Sequence, residues 1–293
     1  MATVLDRGLE RDQPLELKAV GRRRRGFQRP LLYLLLIGIA LFFILPMIFV
    51  FSTSFKSDTE VFTDPGLIPA DPGLENYQML LGGGTPFYRW FLNSAIVSSV
   101  GTVLTVVLTS LSAYAFARID FPLKNALFSV LITTLLLPSV MFLVPHFKLI
   151  GQMGLYDTLP ALVLPGLAGV FGVFFMRQFF LAIPVELEEA AYVDGANRFR
   201  TFVSVVLPLA GPALATLSVI TFLAFWNDYL WPAVICVDNC TLPAGLRLLQ
   251  GQFTANYGLT MAGAVVAAVP VLIIYLALQR WIIQSVASSG VKG

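Results

Sequence analysis

The sequence predicts an all-α integral membrane protein with six transmembrane helices. Three observations carry this. Of the 293 residues, 57% are hydrophobic and only 12% are charged, whereas a soluble globular domain carries about 25% charged residues. Mean hydropathy is +0.80. Unbroken apolar runs of about 20 residues recur along the chain, the length a helix needs to cross roughly 30 Å of hydrocarbon. Transmembrane strands would instead alternate over about ten residues.

The expected spans are Leu31–Phe51, Ala95–Ala117, Ala126–Phe147, Leu159–Met176, Leu209–Val237 and Leu259–Ile283. The first lies in a segment over residues 30–54, preceded by a basic tail over residues 1–29. That tail holds Arg22–Arg25, which suit both topology setting and contact with acidic lipid. The tail is polar and the run after it is too long for the apolar core of a cleaved signal, so no cleaved signal is expected. An outer loop over residues 55–86 is rich in turn formers (Asp64-Pro65-Gly66, Asp71-Pro72-Gly73, Gly82-Gly83-Gly84). It reads as a surface loop, followed by a short amphipathic lead-in at Phe87–Phe91. The remaining five spans fill residues 87–284, and residues 285–293 form a tail.

Basic residues set the orientation. With the N-terminus in the cytoplasm, Lys56, Arg89, Lys148 and Arg247 fall outside, 4 of 19, which leaves 15 inside. Both termini are therefore expected in the cytoplasm, and so is the polar stretch between spans four and five.

That stretch, about residues 185–205, interrupts an otherwise apolar half. Pro184 suits the first turn of a helix, and Glu186, Glu188 and Glu189 suit its positive end. Ala190 and Ala191 present little side chain, so another surface can come close. Gly195 can end the helix at positive φ. Arg198 and Arg200 follow, and Pro208 opens the fifth span. These residues predict a short helix lying on the cytoplasmic face.

The spacing Glu189-Ala190-Ala191, three residues, Gly195, nine residues, Val205, one residue, Leu207-Pro208 resembles the EAA motif of ABC importer permeases. Val205 stands where isoleucine is usual. Further matches are Phe87–Ser94, Ala113–Arg118, Trp226–Pro232 and the final Val291-Lys292-Gly293. The likeness covers about Phe87 to Gly293 and is nearest to the second, shorter permease of maltose-type importers; glycerol-3-phosphate permeases look similar. The resemblance implies the type I ABC importer permease (MetI-like) fold in a bacterial or archaeal cytoplasmic membrane. It also implies that the 185–205 segment is a coupling helix docking on a cytoplasmic ATPase. Glu189 would anchor that helix, Ala190 and Ala191 give close approach, and Gly195 permit the turn. Asp194, Arg198, Leu207 and Pro208 complete the expected coupling set. The implied partners are a second permease as a heterodimer, two ATPase subunits or domains, a solute-binding protein and membrane lipid. No nucleic acid is expected.

No GxxxxGK[ST] phosphate loop occurs in the chain. It carries no cofactor on this reading, and ATP with its Mg would bind a partner ATPase. Neither a catalytic set nor a metal site is expected: His146 is the sole histidine, and the cysteines number two. An enzyme embedded in the membrane would need a nucleophile–base or metal set within its spans. A stand-alone secondary transporter would need intramembrane charge pairs and related halves.

Asp228 is the acid that lies deep in span five. With Asn227 and Tyr229 it could line a sugar path, or it could bond a neighbouring helix or partner; packing is the favoured role. Gly166, Gly169 and Gly172 recur every third residue in span four and suit close packing. Pro138, Pro145, Pro165, Pro212 and Pro270 are expected to kink or end helices. His146 and Lys148 are expected at the outer interface. Cys236 and Cys240 lie near the outer end of span five. An oxidising exterior permits a disulfide there, but two free thiols are the expected state.

Overall fold

The structure, a computed structural model, describes residues 28–249 and 256–290. Arg22–Arg25 and Val291–Gly293 lie outside the described residues. All regular structure described is helical. The chain divides into two units, Met1–Ile48 and Phe49–Gly293.

In the first unit, residues 28–48 belong to helix α1 (Gln28–Thr53). Their apolar side chains from Leu32 to Ile48 are exposed. A helix that is apolar all round finds its solvent in hydrocarbon.

The second unit holds the rest. Helices α2 (Asp58–Thr63) and α3 (Glu75–Leu81) structure the segment expected to be a surface loop. Ser57 caps α2 by accepting the Glu60 N–H. Lys56 is buried, and its ammonium donates to the carbonyls of Asp64 (2.7 Å) and Gly66 (2.6 Å). An aliphatic stem and three donors let one lysine fasten this turn-rich stretch from within.

Helix α4 runs unbroken over Phe87–Arg118. Its start at Phe87 corrects the expected lead-in before Ala95. Phe87 and Trp90 are buried against Leu242 and Ala244, so the lead-in is the first turn of the span.

Span three is bent. Helix α5 (Lys124–Thr133) and its 3-10 extension meet a second 3-10 turn and α6 (Leu143–Gln152) at 101°. Pro138 sits at the break, where its ring and missing N–H end the ladder. Span four bends by 47° between α7 (Leu159–Val163), with its 3-10 extension to Leu167, and α8 (Val170–Ala182).

Next come α9 (Glu186–Val193), α10 (Arg198–Thr201), a π-turn over Phe202–Val206 and α11 (Leu207–Leu209). Pro184 therefore precedes the helix rather than opening it. Pro208 does not begin a span either, because the chain is already helical from Arg198. Span five is α12 (Gly211–Trp226), a break at Asn227–Tyr229, and α13 (Leu230–Ile235). Helix α14 (Leu242–Leu248) follows, then α15 (Tyr257–Gly290). Helix α15 continues through Pro270, and it runs on to Gly290 where a tail was expected from 285. Among the described residues, four helices are long and apolar enough to cross a membrane, and the two bent pairs, each counted as one span, raise the number to six.

Helix α4 is the axis of the second unit, with α8 and α12 packed along it. The three glycines make this possible. A Cβ on Gly166 would lie 2.6 Å from the Phe225 ring, and one on Gly169 would lie 2.7 Å from the Thr105 methyl. A Cβ on Gly172 would lie 3.0 Å from the Thr109 methyl. Without side chains at Gly169 and Gly172, the start of α8 lies directly on the polar stripe of α4, while Gly166 in the 3-10 turn leaves room for Phe225 of α12.

Candidate coupling helix and translocation path

Helix α9 starts with Glu186, Glu188 and Glu189 in its first turn, where carboxylates favour the positive helix end. It ends in a Schellman motif. Gly195 sits at φ +82°, its N–H donates to Tyr192 O (3.0 Å), and Ala196 N–H donates to Ala191 O (2.9 Å). Asn197 then caps α10 by accepting the Arg200 N–H at 2.8 Å.

One residue of this helix points inward. Glu188 is 1% exposed, and its Oε1 lies 2.6 Å from Arg118 Nε. Its Oε2 accepts the Tyr114 hydroxyl at 2.9 Å. Arg118 Nη2 also donates to Phe180 O (2.8 Å) and Ile183 O (2.5 Å), at the end of α8. One guanidinium thus ties the last turn of α4, the exit of α8 and the underside of α9. The ion pair with Glu188 and the two hydrogen bonds to carbonyls hold the guanidinium from two sides. The Phe180, Phe202 and Met176 side chains seal the cluster. The residue that anchors α9 to its own bundle is therefore Glu188, whereas Glu189 was expected to anchor the helix.

The outward side stays open. Glu189, Ala190, Asp194, Gly195 and Arg198 are exposed, and Ala191 is half-buried. Leu207 is half-buried and Pro208 is exposed. Val193 is 88% exposed and Phe199 67% exposed, an unusual display of apolar side chain beside acids and arginines. Arg198 stands over the Tyr192 ring at 5.9 Å. Alanine, valine and phenylalanine within a charged rim make a surface suited to a protein partner.

At the break in span five, Asn227 and Tyr229 are exposed and Asp228 is partly buried. The Asp228 carboxylate accepts the Trp231 N–H at 3.4 Å. Two cavities, of about 230 and 350 Å³, share Gly166, Phe225 and Asp228 in their walls. His146 lines the first, stacked on Phe142 and edge-on to Trp231, so it faces a cavity rather than an outer interface alone.

The opposite end of α4 is fastened by an acid that the sequence reading did not single out. Asp157 Oδ1 accepts the N–H groups of Val237 (2.8 Å), Asp238 (3.2 Å) and Asn239 (2.9 Å). Burial alone would raise this carboxyl, but these backbone donors and the Asn239 side chain outweigh it and hold it below the ordinary carboxylate value. Arg89 donates to Asn239 Oδ1 at 2.8 Å, which joins α4 to the same loop. Cys236 and Cys240 form a disulfide in that loop, with Cα atoms 5.1 Å apart. This corrects the expectation of free thiols. The turn made around the Asp157 carboxylate brings the two Cβ atoms together.

Residues 106–288 match the model of the family described as the binding-protein-dependent transport system inner membrane component. The chain belongs to this family. It is 34% identical over 269 residues to the arabinooligosaccharides transport system permease protein AraQ of Halalkalibacterium halodurans, covering 89% of this chain and 96% of that one. It is 35% identical over 276 residues to the sn-glycerol-3-phosphate transport system permease protein UgpE of Yersinia pestis, covering 91% and 98%. A solved bacterial ABC transporter involved in import of the acidic polysaccharide alginate superposes with a TM-score of 0.75 at 26% identity, covering 86% of this chain and 96% of that one. The permease is thus a multi-pass inner-membrane component of an ABC importer, with the all-helical fold the sequence predicted. Its known relatives are transport subunits.

Proposed function

We propose that this permease forms half of the path of a binding-protein-dependent importer for a di- or oligosaccharide. A second permease would supply the other half. Two ATPase subunits or domains, which bind ATP and Mg, would drive alternating access, and a solute-binding protein would deliver the solute on the far side. Helix α9 would dock on an ATPase in the cytoplasm, which puts both termini there too. The observation that carries this reading is the two-sidedness of α9. Glu188 locks its underside to α4 and α8, while Glu189, Ala190 and Val193 stay open to a partner. Motion of a docked ATPase would reach the spans through Arg118 as a rigid link.

The arabinooligosaccharide relatives support the sugar reading. The glycerol-3-phosphate relatives, at 35% identity, keep a sugar phosphate or polyol as the alternative. The test replaces Glu189 with Lys and, separately, Gly195 with Glu. Membrane insertion should be normal, while ATPase co-purification and ATP-driven uptake should both fall. Normal docking and uptake in both variants would remove α9 from the coupling role.

A further inference from the structure

The ends of α4 and α8 exchange arginines. Arg118 of α4 donates to the carbonyls of Phe180 and Ile183 at the end of α8. Arg177 of α8 donates through Nε to the Phe116 carbonyl in the last turn of α4, at 3.1 Å. The last carbonyls of a helix have no following N–H of that helix to accept, and they carry partial negative charge. Each arginine therefore caps the neighbouring helix, and the two ends are held as one body. From that body Arg118 reaches Glu188 of α9. Arg177 reaches the other way. Its guanidinium carbon stands 4.2 Å from the centroid of the Phe128 ring on α5.

Helix α5 is otherwise lightly held. None of its ten residues is buried. Leu131 packs beside the core around Met176, and the Phe116 ring centroid lies 5.4 Å from that of Phe128. The chain turns at both ends of the limb Lys124–Leu136. Leu123, just before it, sits at φ +61°, a conformation uncommon for leucine. Pro138, just after it, sits at the 101° break. A segment bounded by two such turns moves as a unit and follows its firmest hold. A cation over an aromatic ring gains most where water is scarce, and Arg177 and Phe128 are both half-buried. Drawing α5 away would strip that guanidinium of its ring.

We infer that Arg177 is a positioning residue for transport: with Phe128 it latches α5 to the joined ends of α4 and α8, so that a displacement of α9 also moves the first limb of the bent span. This rests on the coupling role proposed for α9 and extends it. Arg118 carries the motion of α9 to α8, and Arg177 carries it on to α5.

The test uses the full chain assembled with its partner permease, ATPase and binding protein in nanodiscs. Spin labels are placed at Ser129→Cys on α5 and Glu186→Cys on α9, both exposed positions, with the native disulfide left closed. Their separation is read without nucleotide and after trapping with ATP and vanadate. In the otherwise unmodified chain the separation should be the same in both states. In Arg177→Gln and in Phe128→Leu it should shift between the states by more than the spread of the labels. Phe128→Tyr keeps the ring and should behave as the unmodified chain does. The double variant Arg177→Gln with Phe128→Leu should shift no further than Arg177→Gln alone, because both residues act through one contact. A merely structural role would broaden the separation equally in both states. That outcome, a shift in the unmodified chain, no shift in either single variant, or a shift in Phe128→Tyr as large as in Phe128→Leu would each overturn the inference. Failure of the unmodified chain to co-purify with an ATPase would instead overturn the importer reading, and this inference with it.

Discussion

Glu188 and Glu189 are adjacent and chemically identical, yet one is buried against Arg118 and the other faces outward. A buried ion pair broken on one side leaves an uncompensated charge, which costs about 3–5 kcal/mol. Glu188→Ala should therefore lower the melting temperature of the purified assembly clearly, while Glu189→Ala should leave it nearly unchanged. The double variant Glu188→Leu with Arg118→Met should regain much of that stability, because two apolar groups can replace a buried pair. Uptake should remain impaired, since the link from α9 to α8 is lost. Asp157 gives a prediction in pH. Its carboxyl titrates lower folded than unfolded, so the unfolded chain binds the proton more readily. The stabilisation is full above about pH 4 and is lost as pH falls through the lowered folded value. Melting measured at pH 7 and pH 3 should show a drop that shrinks in Asp157→Asn.

Each element is set by where its backbone can and cannot continue. Helix α9 ends at Gly195 because φ +82° is open to glycine at little cost. No atom lies within 4 Å of the position a Cβ would take there, so Gly195→Ala pays strain alone, about 1–2 kcal/mol. It should loosen the α9–α10 turn and reduce uptake less than Gly195→Glu. At Gly169 the balance is reversed, because the cost is contact rather than conformation. An added methyl would meet the side chains of Thr105 (2.7 Å) and Thr109 (2.9 Å). Gly169→Ala should destabilise by about 1–3 kcal/mol through overpacking, read from thermal unfolding in detergent. Pro138 and Pro270 show that proline alone decides little. The first sits at a 101° break and the second inside an unbroken helix. Neighbouring helices and local adjustment can absorb a missing N–H in a membrane helix.

At the scale of the whole molecule, α4 joins two fastened ends. Arg118 and Arg89 are separated by roughly 45 Å of helix. One end holds α9, and the other holds the Asp157 clamp and the disulfide. The Cys236→Ser/Cys240→Ser variant should lose about 2 kcal/mol, the loop-closure entropy of so short a loop. It should leave the α9 end untouched, so ATPase co-purification should stay at wild-type level while melting shifts down.

Class, span number and the location of the polar helix were legible in the sequence. Hydrocarbon thickness and backbone hydrogen bonding impose a length and composition that no other fold meets. The short helix over Glu189-Ala190-Ala191 and its stop at Gly195 were legible too, because a helix start and a positive-φ stop are local requirements. Glu188 was missed although Arg118 stood in plain view as a charge at the end of a span. Nothing local pairs residues 70 positions apart, and a run of three glutamates does not say which one turns inward. The same holds for Asp157, whose partners arrive from the loop at 237–239. It holds for Cys236 and Cys240 as well, which that loop brings into bonding distance. The sequence by itself determined the membrane class, the spans and the exposed helix, since those follow from transfer energies and local backbone geometry. Only the tertiary structure decided which acid is buried and which arginine meets it. Those depend on which side chains of distant helices meet when α8 settles on α4.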